Sequence, residues 1–168
     1  VEFYVGCAKM AACWYAKGLG LDIKAYKGPE TGVRDRASYY LEKNDVRIVV
    51  TSALTPDAYD IQTFLQKHGD GVKRWAYKVD DVEKAFTKAV SGGAVPVVSP
   101  FQMKDEGGVV HMATIGIYDD SEIIYYQDDG YDGPFQPGFG LPQQNIQLYT
   151  EDTGLEFIDH IVGNVRVN

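Results

Sequence analysis

Three histidines, His68, His111 and His160, are the imidazole groups that this sequence of 168 residues offers for metal binding or proton transfer. No two of them stand at the His-x-His, His-x-x-x-His or His-Glu-x-x-His spacing that places two ligands on one metal ion. A complete metal site built from this sequence alone is therefore not predicted.

Each histidine has a simpler interpretation as well. His68 precedes Gly69-Asp70-Gly71 and could be a ligand or a general base, but a histidine at the carbonyl end of a helix explains it equally simply, and we favour that interpretation. His111 alternates with valine and methionine in a strand pattern. His160 also stands in an apolar, strand-like run, where a lone histidine is typically a hydrogen-bonded core residue.

Other reactive side chains carry weaker signals. Cys7 and Cys13 do not share a helix face and are interpreted as reduced, semi-buried structural residues. Three acidic pairs are typical of helix caps and turns, and a surface cation site is the alternative. These pairs are Asp80-Asp81, Asp119-Asp120 and Asp128-Asp129.

Composition limits the class of protein. A hydrophobic content of 45% with 24% charged residues predicts a folded chain. The net charge of −8 disfavours nucleic acid or an anionic membrane as a partner. No apolar run approaches the ~18 residues that a membrane span needs. The sequence opens on an apolar strand pattern without a signal segment, so we expect a cytoplasmic protein.

Two blocks of the sequence share one order of elements. A strand, a helix over residues 8–19 and three further strands are predicted within residues 1–56, and Asn44-Asp45 is predicted to turn the last hairpin. A linker helix over residues 58–68, with Asp57 as its cap, leads to the same order within residues 69–128. There, Asp80 and Glu83 are predicted to form a capping box.

Such a repeat predicts the fold class. Neither block is large enough to bury a sheet face alone, so we expect an α+β protein in which two βαβββ modules form one half-open curved sheet or barrel with the helices outside. A connector rich in glycine, proline and aromatic residues covers residues 129–150. We expect these elements together to form a domain over residues 1–150.

A third copy of the repeat starts near the end of the sequence. Residues 158–164 align with residues 1–7, with two identical positions and the same apolar pattern. We expect residues 151–168 to begin a second domain, of which only the first strand is present. An added edge strand on the first domain is the alternative.

Six motifs, spread in order over nearly the whole chain, resemble the 4-hydroxyphenylpyruvate dioxygenase family of the vicinal oxygen chelate superfamily. The two most specific are His-Gly-Asp-Gly-Val and Ile-Asp-His-Ile-Val-Gly-Asn. The motifs lie at residues 4–15, 25–32, 51–54, 68–73, 135–139 and 157–164.

This resemblance implies an oxygenase of two domains, in which only the second binds Fe(II) through two histidines and a glutamate. It implies that His160 is the first metal ligand and that the other two follow Asn168. Val162, two residues further along the strand, is then expected to line the substrate pocket. The implied substrates are an aromatic α-keto acid and O₂, and the chain alone is not expected to bind iron or to be active.

The repeat allows the ligand positions to be compared between blocks. Phe3 occupies the position of the first block that matches His160. Arg74 and Gln127 occupy the positions of the second block that resemble the second ligand strand and the carboxylate position of the family's iron-binding domain. None of these three residues is a good iron ligand. The first domain is therefore expected to be a scaffold without a metal, in a homo-oligomer such as a dimer or a tetramer. A 4-hydroxymandelate synthase and a metal-free binding protein remain alternative interpretations.

Overall fold

Two copies of a strand–helix–three-strand unit, joined by one helix, make up the fold in a computed structural model that describes residues 1–142 and 152–164. The first module contains β1 (Glu2–Tyr4), α1 (Ala8–Leu19), β2 (Asp22–Lys27), β3 (Arg36–Lys43) and β4 (Val46–Ala53), with a 3₁₀ turn at Pro29–Thr31. The linker helix is α2 (Tyr59–His68). The second module contains β5 (Gly71–Lys78), α3 (Val82–Ser91), β6 (Val95–Asp105), β7 (Gly108–Tyr118) and β8 (Ser121–Asp128).

All eight strands join one mixed, open sheet in the order β2-β3-β4-β1-β5-β8-β7-β6. Within each module the first strand pairs in parallel with the last, β1 with β4 and β5 with β8. The two modules meet where β1 and β5 pair antiparallel. The predicted α+β fold of two βαβββ modules is confirmed.

Helix α1 covers one face of the first module, which we call the outer face. Ala8, Ala12 and Ala16 recur every four residues along the helix and are fully buried against the sheet. Their small side chains let α1 approach Leu41 and Val50, which lie in the same core cluster. The spacing of four residues places all three alanines on one side of the helix.

Helix α2 lies against the opposite, inner face. Its buried Ile61 and Phe64 pack on Tyr4 of β1. The predicted cap by Asp57 is wrong, because Ala58 occupies the capping position and no side chain caps the helix. The predicted capping box of Asp80 and Glu83 is also wrong. Helix α3 begins one residue later, and Asp81 caps it by accepting a hydrogen bond of 2.9 Å from the backbone nitrogen of Lys84, a residue whose side chain cannot return the bond.

The hairpin turns of the two modules correspond to each other. Asn44, between β3 and β4, and Asp119, between β7 and β8, both adopt left-handed backbone angles, with φ of 51° and 45°. Asparagine and aspartate tolerate this conformation better than other residues with side chains. The predicted turn at Asn44-Asp45 is confirmed.

The connector packs back on the first module. Tyr26 and Gly140 form an antiparallel bridge along the edge of β2, and Phe139 is buried against Ala25 and Tyr40 on the inner face. The rest of the predicted connector, residues 143–150, lies outside the described residues. No helix of the described residues is long and apolar enough to cross a membrane.

We predict that Ala12→Leu destabilises the protein by about 1–3 kcal/mol, because the larger side chain has no space between α1 and the sheet. Lys9→Leu is the control, since Lys9 is exposed on the same helix. Chemical denaturation of both variants measures the difference. Equal stabilities would contradict close packing at Ala12.

Candidate functional site

Arg74 of β5 lies at the centre of the inner face, between two carboxylates from the neighbouring strands. Its Nε is 2.6 Å from Oε2 of Glu2 on β1, and its Nη1 is 3.3 Å from Oε2 of Glu122 on β8. The Glu2 and Glu122 side chains are only 16% and 15% exposed. Two carboxylates and one guanidinium thus fill the middle of the sheet at the junction of the modules.

A bulge in β5 brings a second cation to this cluster. The register between β1 and β5 shifts at Glu2/Phe3, so that Lys73 is the extra residue. Bulges redirect side chains, and here both Lys73 and Arg74 reach Glu122, with Lys73 Nζ 2.8 Å from Oε1. The same ammonium donates to the backbone oxygen of Asp120 at 2.5 Å.

Hydrogen bonds extend the cluster across the inner face. Thr51 of β4 donates to Glu2 Oε1 at 2.7 Å and shares a contact of 2.8 Å with Ser38 of β3. Arg74 donates from Nη2 to the Tyr4 hydroxyl at 3.3 Å, and Tyr4 donates to Asp60 of α2 at 3.1 Å. Side chains of both modules and of the linker helix therefore belong to one polar network.

Charge pairing outweighs the cost of burial in this network. Burial alone would raise the pKa of the Glu2 carboxyl, but the positive charge and hydrogen bonds of Arg74 hold that pKa below its ordinary value of 4.5. Burial would lower the pKa of Arg74, yet Glu2 and Glu122 raise it. For Tyr4, burial raises the pKa of the hydroxyl, so the group is neutral.

The structure separates the three positions that the sequence grouped as former metal positions. Phe3 packs on the outer face, with its ring 5.8 Å from that of Tyr15 of α1. Gln127 accepts a hydrogen bond of 3.3 Å from the backbone nitrogen of Val82, at the start of α3. Only Arg74 lies on the inner face, so the grouping of these three residues in one site is wrong.

The cause is the alternation of side chains along a strand. A shift of one residue in the alignment moves a side chain to the other face. Sequence comparison of the modules selected Phe3 on β1, whereas its neighbour Glu2 meets Arg74. It selected Gln127 on β8, whereas Glu122 lies opposite Arg74 in the register of the parallel strands. Two acidic residues were missed, although both follow from the pairing of β1, β5 and β8.

Aromatic side chains of the connector cover the inner face of the first module. Phe135 stacks on Tyr40, with ring centroids 3.9 Å apart and an interplanar angle of 15°. Phe139 meets Phe135 edge to face at 5.0 Å. The Lys27 ammonium lies 4.8 Å from the centroid of Phe139, and burial lowers the pKa of this lysine. This half of the inner face is therefore filled by the chain itself.

His160, the predicted metal ligand, lies on an exposed segment. Its side chain is 73% exposed, and Nδ1 is 2.6 Å from Oδ2 of Asp159. A proton on Nδ1 satisfies this contact and leaves the lone pair of Nε2 free for a metal ion. Metal-binding histidines are commonly oriented in this way by a carboxylate.

The strand expected over residues 158–164 is not formed. Residues 152–164 carry no helix or strand, and Val162 is 79% exposed. A strand requires a neighbouring strand for its backbone hydrogen bonds, and no described residue pairs in a sheet with residues 158–164. Without a strand, the alternation that would place Val162 on the same face as His160 is absent. The role of Val162 in substrate binding stays a prediction.

The other two histidines have surface partners. His68 ends α2, as predicted, and its Nε2 is 2.9 Å from Asp120, which also pairs with Lys67 at 3.0 Å. His111 on β7 is 3.7 Å from Asp129. Cys13 is half-buried on α1, but Cys7 precedes the helix and is exposed, so it is not semi-buried as predicted. Among the described residues, no three His, Cys, Asp or Glu side chains are grouped for a metal ion.

Residues 1–125 match the family described as "Glyoxalase/Bleomycin resistance protein/Dioxygenase superfamily". Because this match covers most of the chain, the protein belongs to that superfamily. Its fold agrees with solved members: a triple mutant of 4-hydroxymandelate synthase from Streptomyces coelicolor superposes with a TM-score of 0.74 at 28% identity, over 93% of this chain and 42% of that one.

Curated relatives narrow the comparison further. The chain is 40% identical to a 4-hydroxyphenylpyruvate dioxygenase of Dictyostelium discoideum over 98% of its own length and 46% of the relative. It is 41% identical to the protein of the same name from Xenopus tropicalis, over 98% of this chain and 42% of the relative. The chain thus spans less than half the length of these curated relatives.

We predict that Arg74→Met destabilises the protein by about 3–5 kcal/mol, because Glu2 and Glu122 lose their shared counter-charge in a poorly solvated position. The control is Arg47→Met, since Arg47 is 56% exposed and its carboxylate partners are 3.6 and 3.8 Å away. We expect this control to cost less than about 1 kcal/mol. Denaturant titration measures both, and a small effect at Arg74 would show that the network contributes little.

Acid should weaken the same network. A carboxyl whose pKa is lowered by folding stabilises the folded state above its ordinary pKa and loses that contribution as the pH falls through the folded value. For Glu2, the contribution is complete at pH 7, begins to decrease near pH 4.5 and is lost as the pH falls through the lower pKa of the folded state. The gap in unfolding free energy between the wild type and Glu2→Gln should therefore narrow as the pH is lowered from 6 to 3. A gap that stays constant over this range would contradict the assignment.

Proposed function

We propose that this chain is the amino-terminal part of an Fe(II)-dependent 4-hydroxyphenylpyruvate dioxygenase, which converts 4-hydroxyphenylpyruvate and O₂ to homogentisate and CO₂. The observation that carries the proposal is the identity of about 40% to proteins of that name across 98% of the chain. In this proposal the enzyme is a soluble, cytoplasmic homo-oligomer of tyrosine catabolism.

Within this enzyme, residues 1–150 act as a domain without iron. The inner face supports this role because its centre holds the guanidinium of Arg74, already paired with Glu2 and Glu122. A fixed positive charge repels a metal cation at the same place. The aromatic rings of Phe135 and Phe139 occupy the neighbouring part of the face, so that surface contributes to packing rather than to substrate binding.

His160 supplies one ligand of the iron site, and residues 151–168 begin the catalytic domain. The imidazole fits this task, since Asp159 holds Nδ1 and Nε2 is free to bind. When bound, Fe(II) provides open coordination positions for the α-keto acid and O₂. Val162 is proposed to line the pocket for the aromatic ring of the substrate. The remaining two ligands belong to the part of the enzyme that follows Asn168.

We expect His160→Ala in the full-length protein to lose iron binding and homogentisate formation, because a site of three protein ligands is left with two. Iron content by elemental analysis and product formation by chromatography measure both effects. His111→Ala is the matched control, since His111 contacts Asp129 on the surface of the second module. Full iron content in His160→Ala would contradict the ligand assignment.

The same experiment tests the domain assignment and the alternatives. One iron per full-length chain, lost entirely with His160, is the result expected if the first domain binds none. Formation of 4-hydroxymandelate would instead favour the mandelate synthase, a possibility raised by the structural similarity to that enzyme. A full-length protein without iron or oxygenase activity would favour a metal-free binding protein.

A further inference from the structure

We infer that residues 152–156, called here the anchor segment, fix the position of His160 relative to the first module. They are positioning residues for the metal site. This inference rests on the proposed function, because it assigns a role to the residues that precede the proposed ligand. Nothing in the proposed chemistry requires the first domain to contact this part of the chain, yet the structure shows several such contacts.

Three hydrogen bonds fix the anchor segment to the first module. The side-chain amide of Asn44 donates to the backbone oxygen of Leu155 at 2.6 Å, and the backbone nitrogen of Asp45 donates to the oxygen of Glu156 at 2.8 Å. Thr153 donates from its hydroxyl to the backbone oxygen of Leu19 at 2.6 Å, at the end of α1. The anchor segment is therefore attached to the first module at the hairpin turn between β3 and β4 and at the end of α1.

A tight turn and one apolar side chain complete the attachment. Gly154 has φ of 72°, and its nitrogen donates to Asp152 Oδ1 at 3.0 Å. This left-handed conformation suits glycine and directs the next residue, Leu155, onto the core of the first module. Leu155 is half-buried, whereas the other residues of the anchor segment are exposed. Asp152 lies 4.0 Å from Lys43.

His160 lies between this attachment and a second contact on the other module. Gly163 lies so close to the hydroxyl of Tyr118, at the end of β7, that a Cβ atom there would overlap it. His160 follows Glu156 by only four positions along the chain. The Cα atom of His160 therefore lies within about 14 Å of the Cα atom of Glu156. Because this stretch is short, a displacement of the anchor segment after loss of the contacts at Asn44 or Leu155 also displaces His160.

The internal repeat shows that the attachment is specific to one hairpin. The corresponding turn of the second module, at Asp119-Asp120, has the same left-handed conformation. Its Asp120 pairs with Lys67 and His68 of α2 instead. The two turns have the same backbone conformation but bind different parts of the chain. The second turn is therefore a suitable control for substitutions in the first.

The test compares two double variants of the full-length protein. Asn44→Gly with Leu155→Ala keeps the left-handed turn but removes the amide donor and the apolar contact. Asp119→Gly with Leu141→Ala is the matched control, since Asp119 has the equivalent turn position and Leu141 is 80% exposed. Asn44→Gly alone serves as a milder variant if the first pair impairs folding.

For the anchor variant we expect faster amide hydrogen exchange over residues 152–160 and a dissociation constant for Fe(II) weakened about tenfold, as is typical when support of a metal ligand is lost. The absorption spectrum of the Co(II)-substituted enzyme should also shift, because it reports ligand geometry. The control variant should match the wild type in all three measurements.

The outcomes separate this inference from the proposed function. Retention of iron by His160→Ala refutes the ligand assignment, whatever the anchor variants do. If His160→Ala loses iron but the anchor variant keeps the wild-type dissociation constant and Co(II) spectrum, the positioning role is overturned. That conclusion holds even if the hydrogen exchange of the segment increases.

Discussion

The pairing of one half-buried guanidinium with two carboxylates is the interaction on which the arrangement of the two modules depends. Arg74 on β5 joins Glu2 on β1 to Glu122 on β8, and these three strands are the central ones of the sheet. Removing any one partner leaves a charge in a place with little water to solvate it. The cluster therefore constrains the register of β1 against β5, which is the seam between the modules.

The two copies of the repeat have diverged in what covers their inner faces. In the first module, the connector supplies Phe135 and Phe139, and α2 supplies Phe64. In the second module, Val95, Val98 and Phe101 of the edge strand β6 stay substantially exposed. The inner face is thus covered in the first module and open in the second, although both modules have the same topology. The difference arises from the connector and α2, which lie outside the βαβββ modules.

The segment that carries His160 connects this scaffold to the proposed chemistry. It contacts the first module through Leu155 and the second through Gly163, so it crosses the seam that Arg74 stabilises. In the proposed enzyme, the first domain would contribute by placing one metal ligand rather than by touching the substrate. This arrangement gives a physical reason why an oxygenase would retain a domain whose centre is closed by an ion cluster.

The sequence by itself determined the order of elements, the repeat and the turn at Asn44, because these depend on local periodicity and on residues that tolerate special backbone angles. It also identified Arg74 as incompatible with a metal ion. It could not show that Glu2 and Glu122, rather than Phe3 and Gln127, face Arg74. The residues that face Arg74 depend on the strand register and on the bulge at Lys73. A shift of one residue in the register moves each side chain to the opposite face of the sheet. The attachment of Leu155 to the turn at Asn44 likewise joins residues 111 positions apart, a contact that only the tertiary structure brings about.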